Sequence, residues 1–405
     1  MNLHRSLFVA GVVSALLYAF LGPALPIRGG GEMIAIGQNL ARTGVFGFPF
    51  VETFDTGPTA VVPPLYPAYA GMLIKLLGNS MAWIVLAAGV ILLQGLHASL
   101  LPRLSILFYG DPNPGICAAI LCILLPVYSW MPYWDTMYTT TGLALFCLAS
   151  HGWVARDWPR LRLGALCGLC CGVLALANPA SVLVVIPWLL FLLVGKRQSP
   201  RQTAGFWGCF AAASLLVVLP WCLRNYHQFG SLTLRTNLGM TLFASNNDCA
   251  SSALVSELRS GCYAAHHPYG SRAEAGLLRS MGEPAYDRYR VSSAIDWARG
   301  HAGSFFHLTA KRIVEFWFPS PVYGVYGRSI WLVTALSIPG LFLMRRSLRM
   351  RFMGTVFLVY PCLYYVVVSD YRYRYPILWL SLLPAGYAIS LALRRVRLPK
   401  RENHG

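Results

Sequence analysis

Negative charge is scarce in this chain. Fifteen Asp and Glu residues stand against 33 Lys and Arg in 405 positions, and charged residues make up only 12% of the whole. A soluble globular domain carries about 25% charged residues, so an ordinary water-facing surface is excluded. There is no repeat of fixed period, no P-loop, no HExxH and no GxSxG, which removes the common soluble nucleotide, zinc-protease and hydrolase motifs. No basic stripe interleaved with aromatics lies outside the flanks of the apolar runs, so the net charge of +18 is no nucleic-acid footprint. With so few carboxylates, each one can be asked what it is for.

What is present is apolar sequence, 56% of the chain, broken into runs separated by short basic clusters. Ten runs read as spans: 6–25, 81–102, 115–128, 135–155, 163–178, 180–194, 203–222, 329–344, 352–368 and 376–393. The first holds no charge and is long enough for a hydrocarbon core of about 30 Å, so it reads as an anchor rather than a cleaved signal. The predicted fold is an all-α polytopic membrane protein of about ten transmembrane helices. With Met1 cytoplasmic, Arg156, Arg160 and Arg162, then Lys196, Arg197 and Arg201, then Arg345, Arg346, Arg349 and Arg351, then Arg394, Arg395, Arg397, Lys400 and Arg401 all fall on one side, as the positive-inside rule requires. Both termini are therefore expected in the cytoplasm, with lipid headgroups as the default partner of the basic clusters.

Two extracytoplasmic segments are too long to be turns, about 26–80 and about 223–328. They divide the chain into an N-terminal transmembrane module (1–222), an outer loop region (223–328) and C-terminal helices with a basic tail (329–405). In the first segment Gly29–Gly31 breaks the chain and Glu32–Thr43 reads as a short helix stopped by Gly44. Pro58, Pro63, Pro64 and Pro67 then forbid regular helix, and Ala68–Leu77 reads as a helix returning to the membrane surface. In the second segment, helices are predicted near 284–299 and 303–317, the latter with one stripe of Phe305, Leu308, Arg312, Ile313 and Phe316.

Eleven cysteines divide into nine in or beside apolar runs and two, Cys249 and Cys262, in the second outer loop. An oxidising exterior favours a bridge between that pair, with two free thiols as the alternative. The CxxCC run at 167–171 has no His or carboxylate beside it, so it reads as small-residue helix packing rather than a metal site. His266–His267 lies in a polar stretch flanked by Gly and Pro and reads as solvated loop.

Glu32, just past the first span, is the leading candidate site residue. Asp135 at the outer end of the fourth span is open to two readings, a helix N-cap or a second acid meeting Glu32 at the same level. Arg224 and Asn225 stand where the seventh span exits. Arg372 and Arg374 occupy a short outer loop, against the usual charge bias, where guanidinium forks suit the phosphate of a membrane lipid.

Several stretches carry a resemblance: Glu32 with IAIGQNLARTG after it, TGPTAVVPPLYP with KLLG beyond, an Asp opening an outer-facing helix, PWCLRNYHQFGSLTLRTNLGMTLFASNN, and RYRYP. Together, over about residues 5–393, the chain resembles bacterial membrane glycosyltransferases of the GT-C superfamily, in the protein-mannosyltransferase-like and aminoarabinose-transferase-like branch. The resemblance implies an inner-membrane enzyme taking a sugar from a polyprenyl-phosphate donor with inversion, on the extracytoplasmic side, onto a protein, lipid or glycan acceptor. Glu32 would be the base, where the family usually shows an acidic pair or an Asp, with Asp135 as the second acidic site and Asp55 as helper. Arg372, Arg374 and Arg224 would hold the donor phosphate. Asn39, Pro63, Pro64, Tyr66, Asn225 and Asn246 would shape the pocket. In some relatives the second acid helps hold a divalent ion, so Mg or Mn is a candidate cofactor. The competing classes are an oligosaccharide polymerase or ligase and a lipid-sugar transporter or flippase. A transporter would place ionisable groups near the bilayer midplane, and these spans are almost free of charge.

Overall fold

The computed structural model describes residues 3–21, 30–50, 53, 55–128, 131–194 and 199–397. The chain begins with α1 (Leu3–Leu21), α2 (Gly31–Thr43), α3 (Leu65–Tyr109) and α4 (Asn113–Leu124). α5 (Thr136–Ala155), α6 (Arg160–Ala177), α7 (Val182–Leu193) and α8 (Pro200–Phe229) follow. Six shorter or amphipathic helices come next: α9 (Leu238–Ser245), α10 (Leu254–Ser260), α11 (Cys262–His266), α12 (Arg272–Met281), α13 (Glu283–Gly300) and α14 (Ala302–Trp317). The chain closes with α15 (Gly324–Leu343), α16 (Leu348–Val359), α17 (Cys362–Tyr365) and α18 (Tyr375–Arg397). Among the described residues there is no strand, only two isolated bridges, Gly47 with Pro58 and Ala253 with Ser369.

Six helices are long and apolar enough to cross a membrane: those at Leu3–Leu21, Leu65–Tyr109, Arg160–Ala177, Pro200–Phe229, Pro321–Leu343 and Tyr371–Arg395. The chain is thus a multi-pass membrane protein, and the expected ten spans are not matched one for one. α4, α7 and α16 hold 12 residues each, about 18 Å of helix against a core of about 30 Å. The run at 352–368 fails as one span because Pro361, which has no N–H to give, follows α16. The chain then turns through α17 and pairs Ser369 with Ser252 and Leu254 of the second loop.

The bundle packs through close backbone approaches. Gly164, Gly168 and Gly172 form one stripe of α6, and a Cβ at either of the first two would lie 2.3 Å from a carbonyl oxygen of α8. Small residues at this spacing are how apolar helices meet in lipid. Cys167 and Cys171 are buried beside the stripe, in agreement with a packing role for the CxxCC run.

α2 starts and stops where predicted, ending on left-handed Gly44. The helix of the returning segment is continuous with the second span except at Gly78, whose φ of 75° breaks α3 in two. Both long segments pack into one polar cap. Glu283 accepts from the Ala60 N–H at 2.8 Å and the Thr236 hydroxyl at 2.6 Å, and Thr53 donates to the Pro268 carbonyl at 3.1 Å. Arg312, fully buried, ties α14 to α9 by donating to Asn246 Oδ1 at 3.0 Å and to the Ser245 carbonyl. Cys249 and Cys262 are joined in a disulfide that closes the loop before α11.

Candidate active site

The cap and the bundle enclose a cavity of about 160 Å³, lined by residues from every part of the chain. Glu32 enters from the first turn of α2, Asp135 from the start of α5, Asn178 from the end of α6 and Arg235 from the loop after α8. Tyr360, Tyr364, Arg372 and Tyr373 enter from the segment between α16 and α18. Asp135 precedes α5 while Asn178 and Tyr360 follow α6 and α16, so these positions gather on one side of the bundle. The chain alternates direction, so Arg156–Arg162 and Arg345–Arg351 fall at the opposite ends. Arg394 at the end of α18 pairs there with Asp111 of the α3–α4 turn.

The triple glycine explains how Glu32 reaches this place. Gly30 and Gly31 have φ of 77° and 45°, a region that L side chains rarely adopt, and a Cβ on Gly30 would meet Tyr133 at 2.7 Å. The chain therefore turns sharply into α2 against Tyr133, beside the Trp134–Asp135 segment. Glu32 stays half-buried with its surface open to the cavity, and no ion pair or side-chain hydrogen bond engages it among the described residues. Burial pushes its carboxyl pKa up, and its own backbone N–H, Arg372 and Arg235 only partly counter this.

Asp135 precedes α5 without capping it. Its Oδ2 instead accepts from Asn178 Nδ2 at 3.1 Å and from the Thr139 hydroxyl at 3.5 Å. The N-cap reading therefore fails, and the carboxylate is held for the cavity.

Arg372 belongs to a 3₁₀ turn over Tyr371–Arg374. Its backbone N–H and its Nε approach the Asp370 carboxylate at 2.9 and 3.3 Å, and its guanidinium lies 4.2 Å from the Trp134 ring centroid. A stacked cation of this kind gains about 0.5–2 kcal/mol. Among the described residues its Nη1 is a buried donor with no partner, the kind of group a ligand oxygen would satisfy. Arg235, which sequence reasoning passed over although it lies inside the quoted SLTLRTN stretch, supplies a second guanidinium. Its Nε donates to the Val61 carbonyl at 2.7 Å, and the carboxylates of Asp135 and Glu32 are both close enough to act on it.

Several expected site residues stand elsewhere. Arg374 points into the bundle, 1% exposed, donating to the Trp317 carbonyl, the Thr334 hydroxyl and the Ser381 hydroxyl. Arg224 is spent on the cap: it donates to the carbonyls of Thr59 and Phe46 and to Asn225 Oδ1, and it stacks on Trp221. Asp55 is exposed and, among the described residues, accepts from the Gly57 N–H two residues on, an ordinary turn contact. Of the pocket-shaping candidates only Pro63 lines the cavity. Pro64 precedes α3, Tyr66 donates to the Pro132 carbonyl, and Asn39 donates to the Val45 carbonyl beyond α2. Asn225 holds the Thr233 carbonyl, and Asn246 serves Arg312. His267 departs in the other direction: it is 3% exposed and faces the cavity. No alternation or spacing in HHPYG signals that burial.

Two carboxylates, Glu32 and Asp135, and the imidazole of His267 line the cavity together with two guanidiniums, and among the described residues no three metal-ligating atoms converge there. Among the described residues the one cluster of three ligand atoms is Cys249, Cys262 and His266, whose sulfurs are consumed by the disulfide.

No family model and no curated protein matches the sequence. Among solved structures, an Archaeoglobus fulgidus oligosaccharyltransferase in complex with Zn and sulfate superposes with a TM-score of 0.55 at 13% identity, covering 96% of this chain and 49% of that one. The archaeal oligosaccharyltransferase AglB from Archaeoglobus fulgidus, in complex with an inhibitory peptide and a dolichol-phosphate, gives 0.53 at 14% identity, covering 98% and 51%. The chain shares the fold of these proteins over its length and spans about half of theirs.

Proposed function

We propose that this chain is a membrane glycosyltransferase of the GT-C type that moves a sugar from a polyprenyl-phosphate donor to an acceptor on the extracytoplasmic side. One observation carries the reading: a carboxylate, Glu32, that no described residue pairs, and two guanidiniums, Arg372 and Arg235, line one small cavity. The fold shared with oligosaccharyltransferases, one of them bound to a dolichol-phosphate, supports it.

The chemistry follows from the groups present. Glu32 takes the proton of the acceptor hydroxyl or amine. The acceptor's electron pair forms the new bond at the anomeric carbon as the bond to the phosphate oxygen breaks, with inversion. Negative charge gathers on the departing phosphate, and Arg372 and Arg235 meet it with fixed donors. Asp135, held by Asn178, orients the cationic side of the cavity through Arg235. No step uses a metal. The polyprenyl chain stays in the lipid of a bacterial inner membrane, with both termini of the protein cytoplasmic.

The test is transfer in isolated membranes from radiolabelled undecaprenyl-phosphate hexoses and pentoses, with the product linkage read by NMR. Transfer from at least one donor with inverted configuration is expected. Retained configuration, or no transfer from any of them, overturns the proposal.

A further inference from the structure

His267 and Tyr263 form a wall of the cavity that the proposed chemistry does not use. Their rings stack at 4.7 Å with 15° between planes, and Phe50 meets the imidazole edge-on at 5.9 Å. The Tyr269 N–H donates to His267 Nδ1 at 3.2 Å. A backbone N–H can only donate, so Nδ1 is the acceptor and the ring proton sits on Nε2. Burial drives the imidazole pKa down to about 3, which keeps the ring neutral. No described group bonds Nε2, and a ring so enclosed can meet only what enters the cavity.

The wall is built rather than incidental. The disulfide to Cys249 lies immediately before Tyr263, and Pro268, immediately after His267, is tied to Thr53 of the first outer segment. Tyr263 is half-buried, near enough to Glu32, Tyr373 and Arg372 for their charges to act on its hydroxyl, which no protein group engages among the described residues. Thus one side of the cavity offers charged forks, and another offers a neutral N–H, a hydroxyl and an aromatic face. The neutral side suits an uncharged polyhydroxyl ring. The volume, about 160 Å³, is well below the ~300–1,000 Å³ of pockets for larger ligands, so it suits one ring rather than several.

We propose that His267 and Tyr263 are the sugar-reading residues of this site, the His267 Nε2–H donating to a ring hydroxyl of the transferred monosaccharide while the stacked pair supports the ring. The inference rests on the glycosyl-transfer reading of the cavity and adds to it where specificity lies. A site that donates to a substrate hydroxyl discriminates against ligands lacking it, and loss of one neutral hydrogen bond of ~0.5–1.5 kcal/mol weakens binding up to about tenfold.

The experiment measures binding of undecaprenyl phosphate, which has no sugar, and of a panel of undecaprenyl-phosphate hexoses and pentoses to the purified full chain in nanodiscs. Wild type, His267→Ala, His267→Gln and Tyr263→Phe are compared, each with its melting temperature. Wild type is expected to bind at least one sugar-bearing lipid more tightly than undecaprenyl phosphate. His267→Ala should lose about tenfold on that lipid and nothing on undecaprenyl phosphate, with partial recovery in His267→Gln, which restores a donor. If His267→Ala does not fold, His267→Gln and Tyr263→Phe decide by the same comparison of the two lipids. Equal weakening of both lipids, or of neither, overturns the inference while leaving the transfer reading intact. Failure of wild type to bind undecaprenyl phosphate overturns the transfer reading and this inference with it.

Discussion

Replacing Arg372 with Lys keeps the charge and removes the fork. In the structure the guanidinium does three things: Nε faces Asp370 at 3.3 Å, the plane stacks on Trp134 at 4.2 Å, and Nη1 stands without a partner among the described residues. An ammonium can keep one of these at a time. The loss of a charge-assisted hydrogen bond to phosphate is worth about 1.5–3 kcal/mol, and the loss of stacking adds about 0.5–1 kcal/mol. The sum, about 2–4 kcal/mol, corresponds to a fall in kcat/KM of about 30- to 900-fold. Lys is the informative choice because a neutral residue would leave Asp370, 3% exposed, buried without its partner, at about 3–5 kcal/mol of stability. The assay is sugar transfer in membranes together with inhibition by added undecaprenyl phosphate. Both the rate and the affinity for the inhibitor should fall, while the melting temperature changes little. An Arg372→Lys protein with wild-type inhibition by undecaprenyl phosphate would refute the phosphate role.

Three further outcomes follow from the same geometry. Arg374→Lys should destabilise the fold by about 2 kcal/mol or more, since three buried hydrogen bonds are disrupted, seen as a lower melting temperature, yet leave the KM for donor unchanged in the protein that survives; a selective rise in KM would return Arg374 to the site. Because burial raises the Glu32 pKa above its ordinary 4.5, the folded state holds that proton more tightly than the unfolded chain, so Glu32 costs stability as pH rises from 4.5 through its folded pKa. Glu32→Gln should therefore match wild type in melting temperature at pH 4 and equal or exceed it at pH 7, and a lower value at pH 7 would mean the carboxylate is structurally paired. Reducing the Cys249–Cys262 bridge, whose cysteines are 13 residues apart, should destabilise the cap by about 3 kcal/mol, seen as faster proteolysis around residues 249–262; unchanged proteolysis would contradict the pinning of α11.

That Glu32, Asp135 and Arg372 would come together, as they do around one cavity, was legible for one reason: each is a charge next to an apolar run, at an end the positive-inside pattern assigns to the same side. The α2 stop at Gly44 was legible because glycine readily adopts the left-handed conformation that ends a helix, and the returning helix over Ala68–Leu77 was read without the break at Gly78 that follows it. Arg374 was misread because residues two apart in an assumed loop look equivalent. In a 3₁₀ turn of about three residues each, they diverge by about a third of a circle, and one faces the cavity while the other faces the bundle. Arg224 looked like a membrane-exit cation, but the cap folds down upon it and takes bonds from both its terminal nitrogens, at Thr59 and Phe46. Arg235 and His267 owe their places to contacts with residues more than 170 and 200 positions away in sequence, at Val61 and Phe50, and local pattern carries no trace of such partners. The span count failed at α16 because hydropathy continues through a proline turn that the backbone does not.

The decisive measurement is single-turnover transfer from a labelled undecaprenyl-phosphate sugar by wild type, Glu32→Gln and Glu32→Asp in the same nanodiscs, with donor binding recorded in parallel. Loss of the base should slow the Glu32→Gln reaction by about 10²–10⁴-fold while donor still binds, with Glu32→Asp recovering part of the rate. Turnover by Glu32→Gln at the wild-type rate would remove the carboxylate from the chemistry and the proposed mechanism with it.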